Sequence, residues 1–313
     1  MSGIEVNSRM GAEAIIIGAG PAGLSAALWC ADLGIEALVL ERRPEIGGQL
    51  LWIHNAVKNH LGSTAQNGRE LRDRLAAQLA TFATPILLNS AVAKADLTAG
   101  RIWLESGAQH EARFIIIATG LRRKRLNIPG EREFEGRGVA ISATRDLDSF
   151  SGKRVCIIGG GDGAVENALM IAEVGARVTL VHRRAELRAR RQFIERLHQK
   201  PNIELITEAV ALRILGEQTV KGLEIERRGV RLTLPTDAVL IRIGFAPNTE
   251  LFREQLELDA QGYVRVNREL ETTIENVFAI GDISNPSAPT ISGAIGDGAT
   301  VAKVIAERMR HQT

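Results

Sequence analysis

Apolar positions fall into short β-branched runs and longer segments of helical period, and the two kinds alternate along the chain. A run at residues 13–17 breaks at Gly18, and a helical pattern follows over 22–33. Gly34 stops it, and 36–40 returns to strand character. This is the pattern of a βαβ unit with a right-handed crossover. Near the middle it recurs as a strand at 153–158, a glycine turn, a helix to about residue 174, Gly175 as its stop, and a strand at 176–181. The two glycine turns begin 141 residues apart, at Gly18 and Gly159, which predicts two nucleotide-binding units. Between them lie a helical stretch over about 66–82, short strands and an apolar run at 112–120. After the second unit come strand-like segments at 203–205, 220–226 and 230–234, and an amphipathic helix over about 292–309. The first dozen residues read as a loose tail.

At about 150 residues per domain, 313 residues allow two. Thirty-nine basic against 37 acidic side chains leave a formal charge of +2, too little for a nucleic-acid-binding surface. Aromatics are scarce, with 8 Phe, 3 Trp and 1 Tyr, which argues against a base-stacking platform. The only two cysteines, Cys30 and Cys156, exclude a disulfide scaffold, a cysteine zinc site and a CxxC pair. Both sit in apolar runs, as small buried hydrophobes in a reducing compartment do. The uncharged stretch 14–31 is long enough to suggest a membrane span, but Gly18, Gly20, Pro21 and Gly23 cut it into strand, turn and helix. No signal-peptide core precedes it, so the expected location is cytoplasmic.

Gly18-x-Gly20-x-x-Gly23 follows a strand and opens a helix, where glycine allows a tight turn and close approach to a pyrophosphate. Glu41 lies 18 residues beyond Gly23, where a carboxylate accepts hydrogen bonds from an adenosine ribose. In the second motif, Gly159-x-Gly161-x-x-Ala164, the same count ends on His182, followed by Arg183, Arg184 and, one helical turn on, Arg188. Guanidiniums there grip a ribose 2′-phosphate that a carboxylate would repel, so this motif points to NADPH and the first to an unphosphorylated adenosine, such as that of FAD. Gly281-Asp282, after an apolar strand, places a carboxylate at the ligand crevice of a doubly wound sheet, where it can hold ribityl hydroxyls.

In order, the segments 18–23, 47–50, 118–120, 159–164, 182–188, 243–250 and 276–282 resemble the low-molecular-weight thioredoxin reductase family over nearly the whole chain. The resemblance implies an α/β fold of two Rossmann-like, three-layer ββα domains. The NADPH domain (120–246) would be inserted into a discontinuous FAD domain (1–119 and 247–313). It implies that FAD contacts Gly18, Gly20, Pro21, Ala22, Gly23, Glu41, Gly48, Gln49, Asn59, Val92, Ala118, Thr119, Gly120, Gly281, Asp282, Thr290 and Ile291. For NADPH the matching positions are Gly159, Gly161, Asp162, Gly163, Ala164, Glu166, His182, Arg183, Arg184, Arg188, Ile243 and Gly244. It also implies a homodimer.

Family members that reduce thioredoxin carry Cys-Ala-Thr-Cys before an aspartate. The matching stretch here is Ser142-Ala143-Thr144-Arg145, then Asp146. Serine and arginine cannot form a disulfide, so a dithiol relay is excluded at this position. Three readings follow. A flavoprotein reductase can pass electrons to ferredoxin or flavodoxin, with Arg122-Arg123-Lys124-Arg125 steering an acidic carrier. Alternatively, a quinone, disulfide or enone is reduced at the flavin, with Ser142, Arg145 and Asp146 as a remodelled pocket. In the third reading the protein is a non-catalytic FAD redox sensor, which the arginine grip disfavours. The ferredoxin-type reductases built on this fold usually end in an aromatic ring over the flavin, whereas no aromatic follows Phe278 here.

Overall fold

The computed structural model describes residues 12–311. The tail expected over the first dozen residues lies almost wholly outside them. Two compact units form. One joins the residues up to Arg122 with those from Ala246 onward, and the other is Arg123–Phe245.

In the first unit a parallel sheet runs in the order Val277–Ala279, Phe114–Ile117, Ala14–Ile17, Ala37–Leu40, Ile86–Leu87. The strands Ala14–Ile17 and Phe114–Ile117 are buried at every position, which is why they read as unbroken apolar runs. Their alternate side chains serve two layers. Ile16 and Ile116 pack against helices Pro21–Asp32 and Ile291–Arg310 through Leu24, Ala27, Val301 and Ile305. Ile15, Ile17, Ile115 and Ile117 face Ile102 and Leu104 of the antiparallel sheet Val92–Asp96, Arg101–Leu104, Gln109–Glu111. Full burial of each such isoleucine contributes about 1.5–3 kcal/mol. The two helices meet closely at Gly298, where a Cβ would stand 2.7 Å from Ala22 O.

The second unit repeats the plan. Its parallel sheet runs Ile203–Ile206, Arg177–Val181, Arg154–Gly159, Ala238–Arg242, Val139–Ala140. Helices Asp162–Glu173 and Arg191–His198 cover one face, and the antiparallel sheet Ala209–Gly216, Val220–Arg227, Val230–Pro235 covers the other. The fold is therefore the double three-layer α/β arrangement expected. Residues 183–190 differ from expectation: they are bends and loop, and helix begins only at Arg191. Among the described residues, no helix is long and apolar enough to cross a membrane.

Candidate functional site

The strand Ala14–Ile17 turns into helix Pro21–Asp32 through Gly18, whose φ is +110°. A Cβ at Gly18 would stand 2.5 Å from Ala118 O, and one at Gly23 would stand 1.9 Å from Gly18 O. Only glycine permits both approaches, so the helix start, with Pro21 in its first turn, sits directly over the strand end. A cavity of about 510 Å³ opens there. Gly48 closes on its rim, because a Cβ on it would come within 2.9 Å of Gly20 Cα.

Glu41 is 5 % exposed at the end of the strand Ala37–Leu40. Its Oε2 accepts the Ala19 N–H at 2.8 Å and its Oε1 the Arg43 N–H at 2.9 Å. Across the cavity Gln49 Nε2 donates to Asp282 Oδ2 at 2.7 Å. Burial pushes the Asp282 carboxyl up, the Gln49 bond pulls it down, and Asp297 pushes it up again. Thr290, whose hydroxyl accepts the Gly293 N–H at 3.1 Å, begins the last helix and lines the cavity with Ile291. The positive end of that helix dipole favours negative charge there. Val92, Ala118, Thr119, Gly120, Pro21 and Ala22 complete the lining expected for FAD.

Three expected contacts are not in the lining. Gly23 and Gly281 act one layer back, Gly281 by passing Ala22, whose Cβ would be 2.9 Å from a Cβ there. Asn59 is exposed on a loop outside the lining. Sequence reasoning missed Asn248, which clamps Thr119 by a 2.7 Å bond from its Nδ2 to Thr119 O, and Arg43, whose guanidinium lies 4.8 Å from the Trp52 ring centre. Both are hinted at in sequence, Arg43 by its place just after Glu41 and Asn248 by the 243–250 motif.

In the second unit the helix Asp162–Glu173 starts at Gly161 without a side-chain cap, leaving its first N–H groups for a ligand. Asp162 is already engaged, accepting Arg190 N–H and Nε, each at 2.7 Å. His182 is buried against Gly160, with Nε2 3.0 Å from Glu186 O. Burial holds its pKa below the usual 6.5. The ring supports the glycine turn and is no surface contact. Arg183, Arg184 and Arg188 are exposed, and among the described residues they form no ion pair. Gly163 and Ala164 continue the helix start, Glu166 is exposed on the same helix, and Ile243 and Gly244 follow the strand Ala238–Arg242.

Ser142 is buried, and its Oγ accepts the Arg145 N–H at 3.3 Å. Arg145 grips Asp146 with two bonds of 2.7 and 3.0 Å, so this carboxylate is occupied. The basic run expected to steer a carrier is largely occupied too. Arg122 holds Pro247 O at 2.7 Å and also bonds Glu250, Arg123 lies over Phe245, and Arg125 pairs with Glu135 at 3.0 Å. Only Lys124 has no such partner among the described residues.

The family model for pyridine nucleotide-disulphide oxidoreductases matches residues 12–298. The chain belongs to that family. A thioredoxin reductase of Peptoclostridium litorale is 36 % identical over 304 residues, 94 % of this chain and 95 % of that one. A Clostridium pasteurianum protein described as a 34.2 kDa protein in the rubredoxin operon is 30 % identical over 95 % of this chain and 96 % of its own. The crystal structure of Lactococcus lactis thioredoxin reductase in its FR conformation superposes with a TM-score of 0.83 at 30 % identity, covering 96 % of this chain and 100 % of that one. This oxidoreductase is a flavoprotein whose cofactors are FAD and NADPH. The backbone closure at Gly18, Gly20 and Gly48 and the carboxylates of Glu41 and Asp282 fit FAD.

Proposed function

We propose that this oxidoreductase passes electrons from NADPH through FAD to a separate acceptor without a dithiol relay. The observation that carries this reading is the state of the two cysteines. Cys30 and Cys156 lie in different units, both buried, their thiols pushed up to about 12 and about 11 by burial. A thiol held neutral is a poor nucleophile, so neither can stand in for a redox pair. When bound, FAD supplies the redox chemistry, accepting hydride from NADPH and yielding electrons to the acceptor. The chain's own residues would bind and orient. Glu41 holds the ribose, Asp282 and Gln49 the ribityl chain, and Arg183, Arg184 and Arg188 the 2′-phosphate.

The occupied basic run supports a small-molecule acceptor such as a quinone, disulfide or enone. A ferredoxin or flavodoxin acceptor is the second reading. It is favoured by the relative named for its place in a rubredoxin operon, since rubredoxins carry single electrons.

The test is an anaerobic acceptor screen after reduction by NADPH. Thioredoxin alone is expected to give no turnover, and turnover with it would overturn the relay-free reading. NADPH should bleach the flavin about a hundredfold faster than NADH at low concentration, a preference removed by Arg183→Ala with Arg184→Ala. Stimulation by ferredoxin or flavodoxin, with none by quinones, would select the second reading.

A further inference from the structure

Arg242 and Arg123 of the second unit are part-buried and make no ion pair among the described residues. Arg242 ends the strand Ala238–Arg242. Its Nε donates to Asn167 Oδ1 at 2.7 Å, Nη1 to Ile241 O at 2.8 Å and Nη2 to Ile141 O at 3.2 Å. All three acceptors are neutral. Arg123 lies with its guanidinium 5.5 Å from the centre of the Phe245 ring. Among the described residues neither makes an ion pair. The charges acting on Arg242 are Arg123, which repels it, and Asp146, which attracts it but is already gripped by Arg145. Burial pulls the pKa of Arg242 down to about 9 and lowers that of Arg123 as well.

Arg145 and Arg242 thus draw on one carboxylate, and Arg123 adds a like charge beside Arg242. Withdrawing a charge from water costs free energy that neutral acceptors only partly offset, and a like charge nearby adds to the deficit. An arriving anion removes it. The location also separates this pair from the coenzyme's 2′-phosphate. In the sheet, the strand Arg177–Val181, which leads to Arg183 and Arg184, lies on one side of Arg154–Gly159, and Arg242 lies on the other. The Arg242 side chain reaches farther from those arginines, to Ile141 at the end of the strand Val139–Ala140 and beside Ser142.

We propose that Arg242 and Arg123 form a subsite for the carboxylate or phosphate group of an anionic acceptor, seated beside residues 142–146. Naming the acceptor as the anion's owner rests on the small-molecule reading above; the anion site itself does not. The coenzyme's diphosphate is the other source of the same chemistry.

Inorganic phosphate, titrated into the FAD-loaded protein at constant ionic strength, should raise the thermal unfolding midpoint of the wild type. The rise should also appear in the Arg183→Ala, Arg184→Ala double variant and be lost in Arg242→Met. A rise kept in Arg242→Met, or seen in no form, overturns the subsite. Arg123→Met leaves the three bonds of Arg242 in place and serves if Arg242→Met does not fold; it should weaken phosphate binding about tenfold. With saturating NADP⁺ present the phosphate-induced rise should persist, and its disappearance would assign the subsite to the coenzyme and overturn the acceptor assignment. Finally, kcat/KM for a carboxylate-bearing naphthoquinone, relative to its neutral parent, should fall about tenfold in Arg123→Met, and an unchanged ratio overturns the acceptor assignment. A chain that binds phosphate through Arg242 yet reduces neither quinone overturns a quinone as the acceptor and leaves the anion site standing.

Discussion

The imidazole of His182 lies so close to the backbone of Gly160 that a Cβ built there would stand 2.2 Å from Nδ1. The Arg188 N–H donates to Gly160 O at 2.7 Å, so residues 182–188 fold over the glycine turn and are tied to it at both ends. The position that in the first unit carries the carboxylate of Glu41 here carries a packing ring, and the exposed Arg183, Arg184 and Arg188 follow it in the chain. Gly160→Ala must push out a buried ring and should cost about 1–3 kcal/mol. It should also raise the KM for NADPH more than it changes FAD content. The unfolding midpoint and coenzyme kinetics of the variant check this; an unaltered midpoint would mean that the ring does not rest on the turn.

Glu41 is tied to its own unit before any cofactor arrives, because Ala19 N–H and Arg43 N–H each occupy one oxygen. A carboxylate has lone pairs left after two such bonds, so it can still accept ribose hydroxyls. Glu41→Gln presents an amide NH₂ where one backbone N–H needs an acceptor. Leaving that buried donor unpaired costs about 1–3 kcal/mol. The protein should purify with less flavin and bind added FAD about tenfold or more weakly. The ratio of flavin to protein absorbance measures this directly, and full retention by the variant would remove Glu41 from the FAD site.

Both glycine turns, Glu41 and the main helices were legible in the chain because each is dictated locally. The contact of Gly18 with Ala118 O tolerates no Cβ, and Pro21 and Gly34 mark the ends of a helix placed within a residue of its observed bounds, Pro21–Asp32. What escaped depends on partners far along the chain. Arg122 through Arg125 read as a basic patch, yet Arg122 is claimed by Pro247 O and Asn248, 125 and 126 positions away. The run beginning at Arg183 reads as helix, but its course is set by Arg190 reaching back to Asp162 and by Arg188 bonding Gly160. The strand Ala209–Gly216 went unread because register shifts near Ala211 and Leu215 break its alternation. Arg242 sits in an apolar strand, where nothing local signals that its guanidinium meets only neutral acceptors.

Arg154 and Asp237 join the strand Arg154–Gly159 to the strand Ala238–Arg242 where the nucleotide-binding sheet of the second unit begins. Asp237 accepts Arg154 Nη2 at 2.7 Å, Nε at 3.0 Å and the Arg154 N–H at 3.0 Å. Led by the guanidinium hydrogen bonds, these contacts hold its carboxyl down at about 2, against an ordinary 3.8. A carboxyl whose pKa is lowered by folding stabilises the fold fully above its unfolded value, and the contribution disappears as pH falls through the folded one. The window therefore runs from about pH 4 down to about pH 2. The side chains are 45 % and 32 % exposed, so solvent screening cuts the contribution to about 1 kcal/mol. Asp237→Asn should lower the free energy of unfolding in urea by that amount at neutral pH, and by about half as much near pH 3. Equal losses at both pH values would show that the asparagine disturbs strand packing, with the charge of Asp237 contributing nothing to the joint.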